Sequence, residues 1–439
     1  DKYEEAPGKE IQDIFRVKSK KLSNADSKWI SEFLQSLSDE HEEIRFNSSR
    51  LFDQAKRHFK IQRLRTAVEE ISEYLDEDKL EEAEEILNST IKTTADVTDL
   101  GVSPTDISLI SKIFEIERED GSNISLGMGD FDKLAGPQKP HWLVMFMAPM
   151  KRGKTRTLTH LAVWAARKGV NTVFISLESE WPDLVKTIWM AMKSLTTERN
   201  GEVLAPYFSK RGKLVDGNKE RFVKQRTIKR PTIYNEEAVF QAVKAFNLMS
   251  KGRLQIKTFP AYSAGIKEID HYLDSLEVFE NLQPELIIVD YLGAMKKPQG
   301  AFGRDAYDEN SKGLKGMAQR RKALVATAHQ GTRKTLEKMN LDPDDVPEDI
   351  RILGNVDALY GIMQTDAEKE LGVMRFNVIV HRWKKFSRGV QAKVLTSPEM
   401  GQLYLDSEII RSPKSIINKS RKVDQPDAPD VNKGGNEDE

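Results

Sequence analysis

Residues 142–164 decide the fold. Trp142-Leu143-Val144-Met145-Phe146-Met147 is an unbroken apolar run. Ala148-Pro149-Met150-Lys151-Arg152-Gly153-Lys154-Thr155 is a short loop. Leu158, Leu161, Ala162 and Trp164 then recur at helix spacing. Strand, loop and helix in this order make a P-loop, with Ala148 where the first glycine usually stands. Such a loop turns backbone N–H groups inward onto phosphate oxygens, and the helix behind it adds the positive end of its dipole. Gly153 allows close backbone approach. Lys154 places a point charge at the β- and γ-phosphates, and the Thr155 hydroxyl is a hard oxygen ligand for Mg²⁺. The nucleotide-binding residues expected are therefore Ala148, Pro149, Met150, Lys151, Arg152, Gly153, Lys154, Thr155 and Arg156. The bland alternative is a glycine turn with a surface lysine, and the remaining strands bear on that choice.

Working outward, more apolar runs end in polar residues. Leu286-Ile287-Ile288-Val289 ends in Asp290, placed to hold Mg²⁺ directly or through water. Phe174-Ile175-Ser176-Leu177 ends in Glu178, read either as the base for an attacking water or as a solvated acid beside Glu180. Leu324 to Ala328 ends in His329 and Gln330. An amide at Gln330 can report loss of the γ-phosphate. His329 is read as structural or DNA-facing. Open α/β sheets place their ligand crevice at the carboxyl ends of strands, so one crevice accounts for all of these ends together.

Further runs at Leu254–Phe259, Ala358–Met363, Phe376–His381 and Ala392–Leu395 alternate with helical stretches. The pattern predicts a mostly parallel twisted sheet flanked by helices, with an antiparallel extension at one edge. The first 120 residues read differently. Trp29, Ile30, Phe33, Leu34 and Leu37 recur at helix spacing, and Val68, Ile71 and Leu75 face Leu80, Ala83 and Leu87 as a helical hairpin near 66–88. The expected organisation is a small all-α domain at 1–100 and a linker with a short helix at 101–120. An ATPase-type domain follows at 121–412, and a disordered tail at 413–439. Because the chain starts at Asp1, the N-terminal domain is read as open to being incomplete. A basic insertion falls at 195–232, where Lys210–Arg230 carries nine cations against Asp216 and Glu220. It is read as a solvated surface insertion, or else as a contact for DNA or an acidic protein.

Composition excludes several classes. Of 439 residues, 68 are basic and 69 acidic, so overall charge makes no case for nucleic acid. No cysteine is present, which excludes disulfides and cysteine metal sites and fits a reducing, cytoplasmic compartment. No uncharged apolar run reaches membrane-spanning length, so no membrane association is expected.

The motifs resemble those of the DnaB-type hexameric replicative DNA helicases, within the RecA-like P-loop ATPases. That family's P-loop also begins with Ala and ends Gly-Lys-Thr. Its second strand reads Phe-Ser-Leu-Glu, close to Phe174 through Glu178. Its metal strand ends Asp-Tyr-Leu, as at Asp290-Tyr291-Leu292. Its third strand ends Ser-Gln followed shortly by Arg, where this chain has His329, Gln330 and Arg333. The likeness runs from about Ser125 to Leu405. It implies a RecA-like core, Glu178 as catalytic base with Lys154 and Gln330 around the γ-phosphate, and ATP and Mg²⁺ bound by Thr155 and Asp290. It also implies a homo-hexameric ring around single-stranded DNA in a bacterial or phage-infected cell, with a primase or helicase loader as candidate partner. The segment 105–118 corresponds to the family's linker helix.

Two departures bear on that reading. A neighbouring subunit's finger is Lys-x-Arg in the family, whereas Arg382-Trp383-Lys384 reverses the order. Arg382 and Lys384 fit by position, and Arg388 is the alternative. The N-terminal region is also shorter than the family's collar, which leaves the primase or loader contact open. Channel-facing loops imply DNA contacts at Lys296, Lys297, Arg304, Arg333 and Lys334. Two other functions share the core: a RecA-like recombinase or filament ATPase, and a nucleotide-switched scaffold that does not hydrolyse.

Overall fold

The structure is a computed structural model. It describes residues 48–76, 79–80, 82–83, 86, 123–215, 218–301, 303–331, 335–336, 338–346 and 351–411. The chain divides into two units, Asp1–Ile113 and Phe114–Glu439. In the first, helix α1 spans Ser48–Asp76 with neither Gly nor Pro in its 29 residues. Of the apolar stripe read from the sequence, Val68 and Leu75 are exposed and Ile71 is half-buried, while Ala67 and Ala83 are buried. Leu87, the 29–37 periodicity, the linker at 101–120 and the tail at 413–439 lie outside the described residues.

The second unit is built on a nine-stranded sheet. Its strands are β1 (Leu143–Ala148), β2 (Thr172–Ser176), β5 (Leu254–Thr258), β6 (Leu286–Asp290), β7 (Leu324–Gln330), β8 (Ala358–Met363), β9 (Val373–His381), β10 (Val390–Ser397) and β11 (Gln402–Arg411). Their order is β11-β10-β9-β8-β1-β7-β6-β2-β5. From β8 to β5 every pairing is parallel. From β8 to β11 every pairing is antiparallel. Every residue of β1, β2, β6 and β8 is buried, as expected of strands covered on both faces.

Alternation sorts the core into two layers. Val144, Phe146, Phe174 and Ile288 pack on one face with Leu158 and Leu161 of helix α3 (Lys154–Arg167). Leu143, Met145, Ile287 and Val289 pack on the other. There they meet Ile269 and Leu273 of α6 (Ile266–Glu280) and Leu314 and Met317 of α7 (Arg304–Arg321). The remaining helices are α2 (Asp130–Ala135), α4 (Trp181–Lys193), α5 (Glu236–Met249), α8 (Ile352–Asn355) and α9 (Asp366–Glu370).

The basic insertion adopts a structure of its own. Strands β3 (Glu202–Val215) and β4 (Asn218–Lys229) form a separate antiparallel ribbon. Strand β11 and this ribbon are additions to the elements expected from the sequence, and β9 starts three residues earlier than the apolar run at Phe376 suggests.

Candidate functional site

Four adjacent parallel strands deliver the site. Along β1-β7-β6-β2 the carboxyl ends lie side by side, with Ala148 opposite Gln330 and Ser176 opposite Asp290. Neighbouring strands are about 4.8 Å apart, so the P-loop, Gln330, Asp290 and the Glu178 turn occupy a row roughly 14 Å wide. The Gly331 N–H donates to Ala148 O at 2.8 Å, and the Leu177 N–H donates to Asp290 O at 2.7 Å. These bonds continue the strand registers just beyond the sheet, which fixes the loops relative to each other.

The P-loop conformation follows from its residues. Gly153 has φ 84°, the left-handed region open to glycine at no steric cost. A Cβ there would also lie 2.9 Å from the Met374 methyl. Thr157 closes the first turn of α3, its N–H and hydroxyl each donating to Gly153 O at 2.9 Å. On the Glu178 side, the Ser176 hydroxyl accepts from the Glu178 and Ser179 N–H groups at 3.4 and 3.0 Å. It holds a tight turn that leaves the Glu178 carboxylate exposed.

Electrostatics tie the parts together. Burial lowers the Lys154 ammonium from its usual range, and the charges of Glu178 and Asp290 oppose that shift. The Lys154 Nζ lies 5.8 Å from the Tyr291 ring centre. Asp290 is fully buried, and burial pushes its carboxyl up to about 6. Thr155 and Lys154 pull that value down, and Glu178 adds to the rise. Neither Asp290 carboxylate oxygen has a hydrogen bond of full geometry among the described residues. Two buried, unmatched anionic oxygens beside a threonine hydroxyl and a lysine suit a hard divalent cation that keeps its other ligands from water and phosphate.

The charge of Asp290 therefore costs stability. The folded value lies above that of an exposed carboxyl, so the folded chain takes up a proton between about pH 6 and 4 that the unfolded chain does not. Above pH 6 the ionised group opposes folding by on the order of 2–3 kcal/mol. Asp290→Asn is expected to melt several degrees above the unmodified chain at pH 7.5 without ligand, the gap closing as pH falls through 6. Thermal melts at three pH values check this. A variant that melts at or below the original at pH 7.5 would remove the argument.

The other expected residues are placed as follows. The Arg152 guanidinium is buried and donates to Asp366 Oδ1 at 2.7 Å, so its side chain is committed to α9 and its backbone is what the loop offers. Arg156, on the first turn of α3, lines a cavity of about 270 Å³ with Glu399 and Thr187. Met150 is exposed. His329 is 3% exposed and edge-on to Tyr307, which gives it no surface from which to face DNA. Lys296 is held by Glu268 at 2.5 Å, whereas Lys297 and Arg304 are exposed. Gly300 and Gly303 between them have positive φ and open space around them. Arg333 and Lys334 lie outside the described residues.

The finger candidates sit elsewhere. Ala358 pairs with both His381 and Val144, so the turn Arg382–Arg388 leaves the amino edge of the sheet, opposite the P-loop. Arg382 donates to Gly354 O at 2.7 Å, and Lys384 to Lys133 O at 2.7 Å. Arg388 is exposed and forms no ion pair among the described residues. The residues that sequence reasoning missed are Asp366 and Tyr291, and only the Asp-Tyr-Leu motif gave a signal for the second.

Comparison with known proteins agrees with this architecture. No family model matches the chain. A DnaB-like replicative helicase of Enterobacteria phage T4 is 23% identical over 266 residues, covering 57% of this chain and 49% of that protein. The chain thus spans about half the length of this curated relative. Among solved structures, an isolated ATPase domain aligns with TM-score 0.53 at 16% identity, over 70% of this chain and all of that one. A DnaB-like replicative helicase, described with its interactions with primase, aligns with TM-score 0.58 at 14% identity, over 89% of this chain and 87% of that one. The fold is the RecA-like ATPase fold of DnaB-type helicases. The sequence is similar to a member of that same group.

Proposed function

We propose that the chain is the motor of a ring-forming replicative DNA helicase that hydrolyses ATP with Mg²⁺ and moves along single-stranded DNA. One observation carries this reading. Lys154, Thr155, Asp290 and Glu178 gather at the carboxyl edge of one parallel sheet, next to the strand that ends in Gln330. Thr155 and Asp290 would hold Mg²⁺, which supplies positive charge to the phosphates and fixes their position. Lys154 binds the β- and γ-phosphates, and Glu178 is exposed where it can orient and deprotonate a water. Gln330, one strand from the P-loop, registers the γ-phosphate and passes its loss to the loop beyond β7.

The exposed Lys297 and Arg304, flanking Gly300 and Gly303, suit phosphate tracking without sequence readout. Arg333 and Lys334 are proposed to share that role, and Lys296 to brace the loop through Glu268. The phage relative supports assigning the chain to DNA replication in a phage-infected bacterial cell, and the solved relative supports a primase as a partner to test.

The purified chain is expected to turn over ATP at least about tenfold faster with single-stranded DNA than without it, and to form closed rings with a non-hydrolysable ATP analogue. Robust turnover without DNA stimulation would reject the helicase reading. Open helical filaments in electron micrographs would favour a recombinase.

A further inference from the structure

The β3–β4 ribbon has no part in the motor chemistry above, yet it is held in place with some care. Near its root Val203 and Ala205 are buried against Met400. Further out, Arg221 stacks 4.0 Å from the Phe208 ring centre and its Nε donates to Glu408 Oε2 at 3.1 Å. Lys393 of β10 binds the other Glu408 oxygen at 2.9 Å. Gln225 donates to Glu370 O at 2.7 Å. Two-stranded ribbons twist strongly, so the side that Val203 and Ala205 bury at the root turns outward beyond it, while the Phe208 side is braced.

That outward side alternates rings with cations. Tyr207 pairs directly with Lys224, and strand alternation puts Phe222 and Arg226 on the same side. The Arg226 guanidinium lies 5.7 Å from the Tyr207 ring centre. Phe222 is 50% exposed and Tyr207 37%. Lys210 and Arg211 are exposed at the register shift nearby. Two acids accompany them among the described side chains: Glu202 at the root, 3.7 Å from Lys229, and half-buried Glu220 toward the tip.

Exposed rings cost free energy in water, and a purely electrostatic patch for an acidic protein has no use for them. Interleaved with cations on a braced ribbon, they match the chemistry of unpaired bases, which stack, joined by phosphates, which pair. We propose that the outer side of the β3–β4 ribbon binds single-stranded nucleic acid. Phe222 and Tyr207 stack bases, and Lys224, Arg226, Lys210 and Arg211 take the phosphates. None of these residues belongs to the loops beyond β6 and β7, so the surface gives the chain a second strand contact. Its operation does not depend on nucleotide.

The test is fluorescence anisotropy of a labelled oligo-dT with the full chain and no nucleotide, across a salt series. The unmodified chain binds, and so does Lys154→Ala, which separates this proposal from the motor reading. Lys224→Glu with Arg226→Glu raises Kd at least about tenfold and flattens the log–log salt slope by about 1–2. Phe222→Ala weakens oligo-dT about tenfold and a duplex of equal length far less. Thermal melts matching the unmodified chain show that these exposed positions act at the surface. Unchanged Kd and slope in both variants, or no binding by the unmodified chain, overturns the proposal. Equal weakening of duplex and single strand overturns the stacking role. Competition by polyglutamate as strong as that by oligo-dT at equal charge overturns it in favour of an acidic protein.

Discussion

Lys154→Ala is expected to lower ATP turnover at least about a hundredfold while the melting temperature moves by only a few degrees. The size follows from where the ammonium sits. Burial has already stripped part of its hydration, and Glu178 and Asp290 are the charges that keep it favourable. A cation held in place in a partly dry site stabilises charge developing on a transferred phosphoryl group without reorganising water, and losing one such donor costs about 10²–10³ in rate. Alanine also leaves Asp290 facing Glu178 with less compensation, so the Asp290 carboxyl should take up a proton at still higher pH. Affinity for a fluorescent ATP analogue should fall as well, because the lysine grips the ground-state phosphates too. Steady-state turnover with saturating single-stranded DNA, beside a melt of the same preparation, checks the expectation. Turnover within about threefold of the original would mean that the triphosphate does not sit at this loop.

The central sheet was legible because its strands are buried on both faces and read as continuous apolar runs, such as Leu286–Val289 ending at Asp290. Four such runs lead into Lys154, Glu178, Asp290 and Gln330, and the rule that ligands gather at the carboxyl edges of strands puts the four together. The ribbon was not legible in the same way. In β4 the outward side carries Lys224 and Arg226 beside Phe222, so its period of two is marked by charged stems and one ring rather than by aliphatic residues. A usable sign was present: Asp216-Gly217, between Val215 and Asn218, is a hairpin dipeptide flanked by Val, Phe and Ile. It was masked by the density of cations around it. Strand β11 was missed for a related reason, since Asp406, Ser407 and Glu408 interrupt its apolar pattern, and Glu408 finds its partners in Arg221 and Lys393. The Arg152–Asp366 pair spans 214 positions, and no local pattern announces it.

Removing the Arg388 guanidinium is expected to cost about a thousandfold in DNA-stimulated turnover, and the loss should be repaired in mixed assemblies. Strand register makes the case. Lys154 follows the carboxyl end of β1, whereas Arg382–Arg388 leaves the amino edge, with His381 opposite Ala358 and Ala358 opposite Val144. About six residues of strand, roughly 20 Å, separate the two edges, more than an arginine side chain can reach. In the proposed ring, any help this turn gives to phosphate chemistry therefore goes to the P-loop of a neighbouring subunit. The turn is stiff enough for that purpose: the Arg382 N–H donates to Asp357 O at 2.8 Å, and Lys315 holds the Asp357 carboxylate at 2.6 Å. Arg382 and Lys384 already have carbonyl partners within the chain, and lysine lacks the planar fork that grips a phosphoryl group from the side. Exposed Arg388 can form that contact without breaking one, and a finger acting on a neighbouring site contributes about 10³ or more in rate. Arg382→Ala and Lys384→Ala are expected to cost less than about tenfold. When Arg388→Ala and Lys154→Ala chains are mixed in equal amounts, roughly a quarter of the junctions in a closed ring regain an intact Lys154 facing an intact Arg388. Turnover should then exceed the sum of the separate preparations. A mixture no more active than that sum, with Arg388→Ala alone near full activity, would place the finger elsewhere.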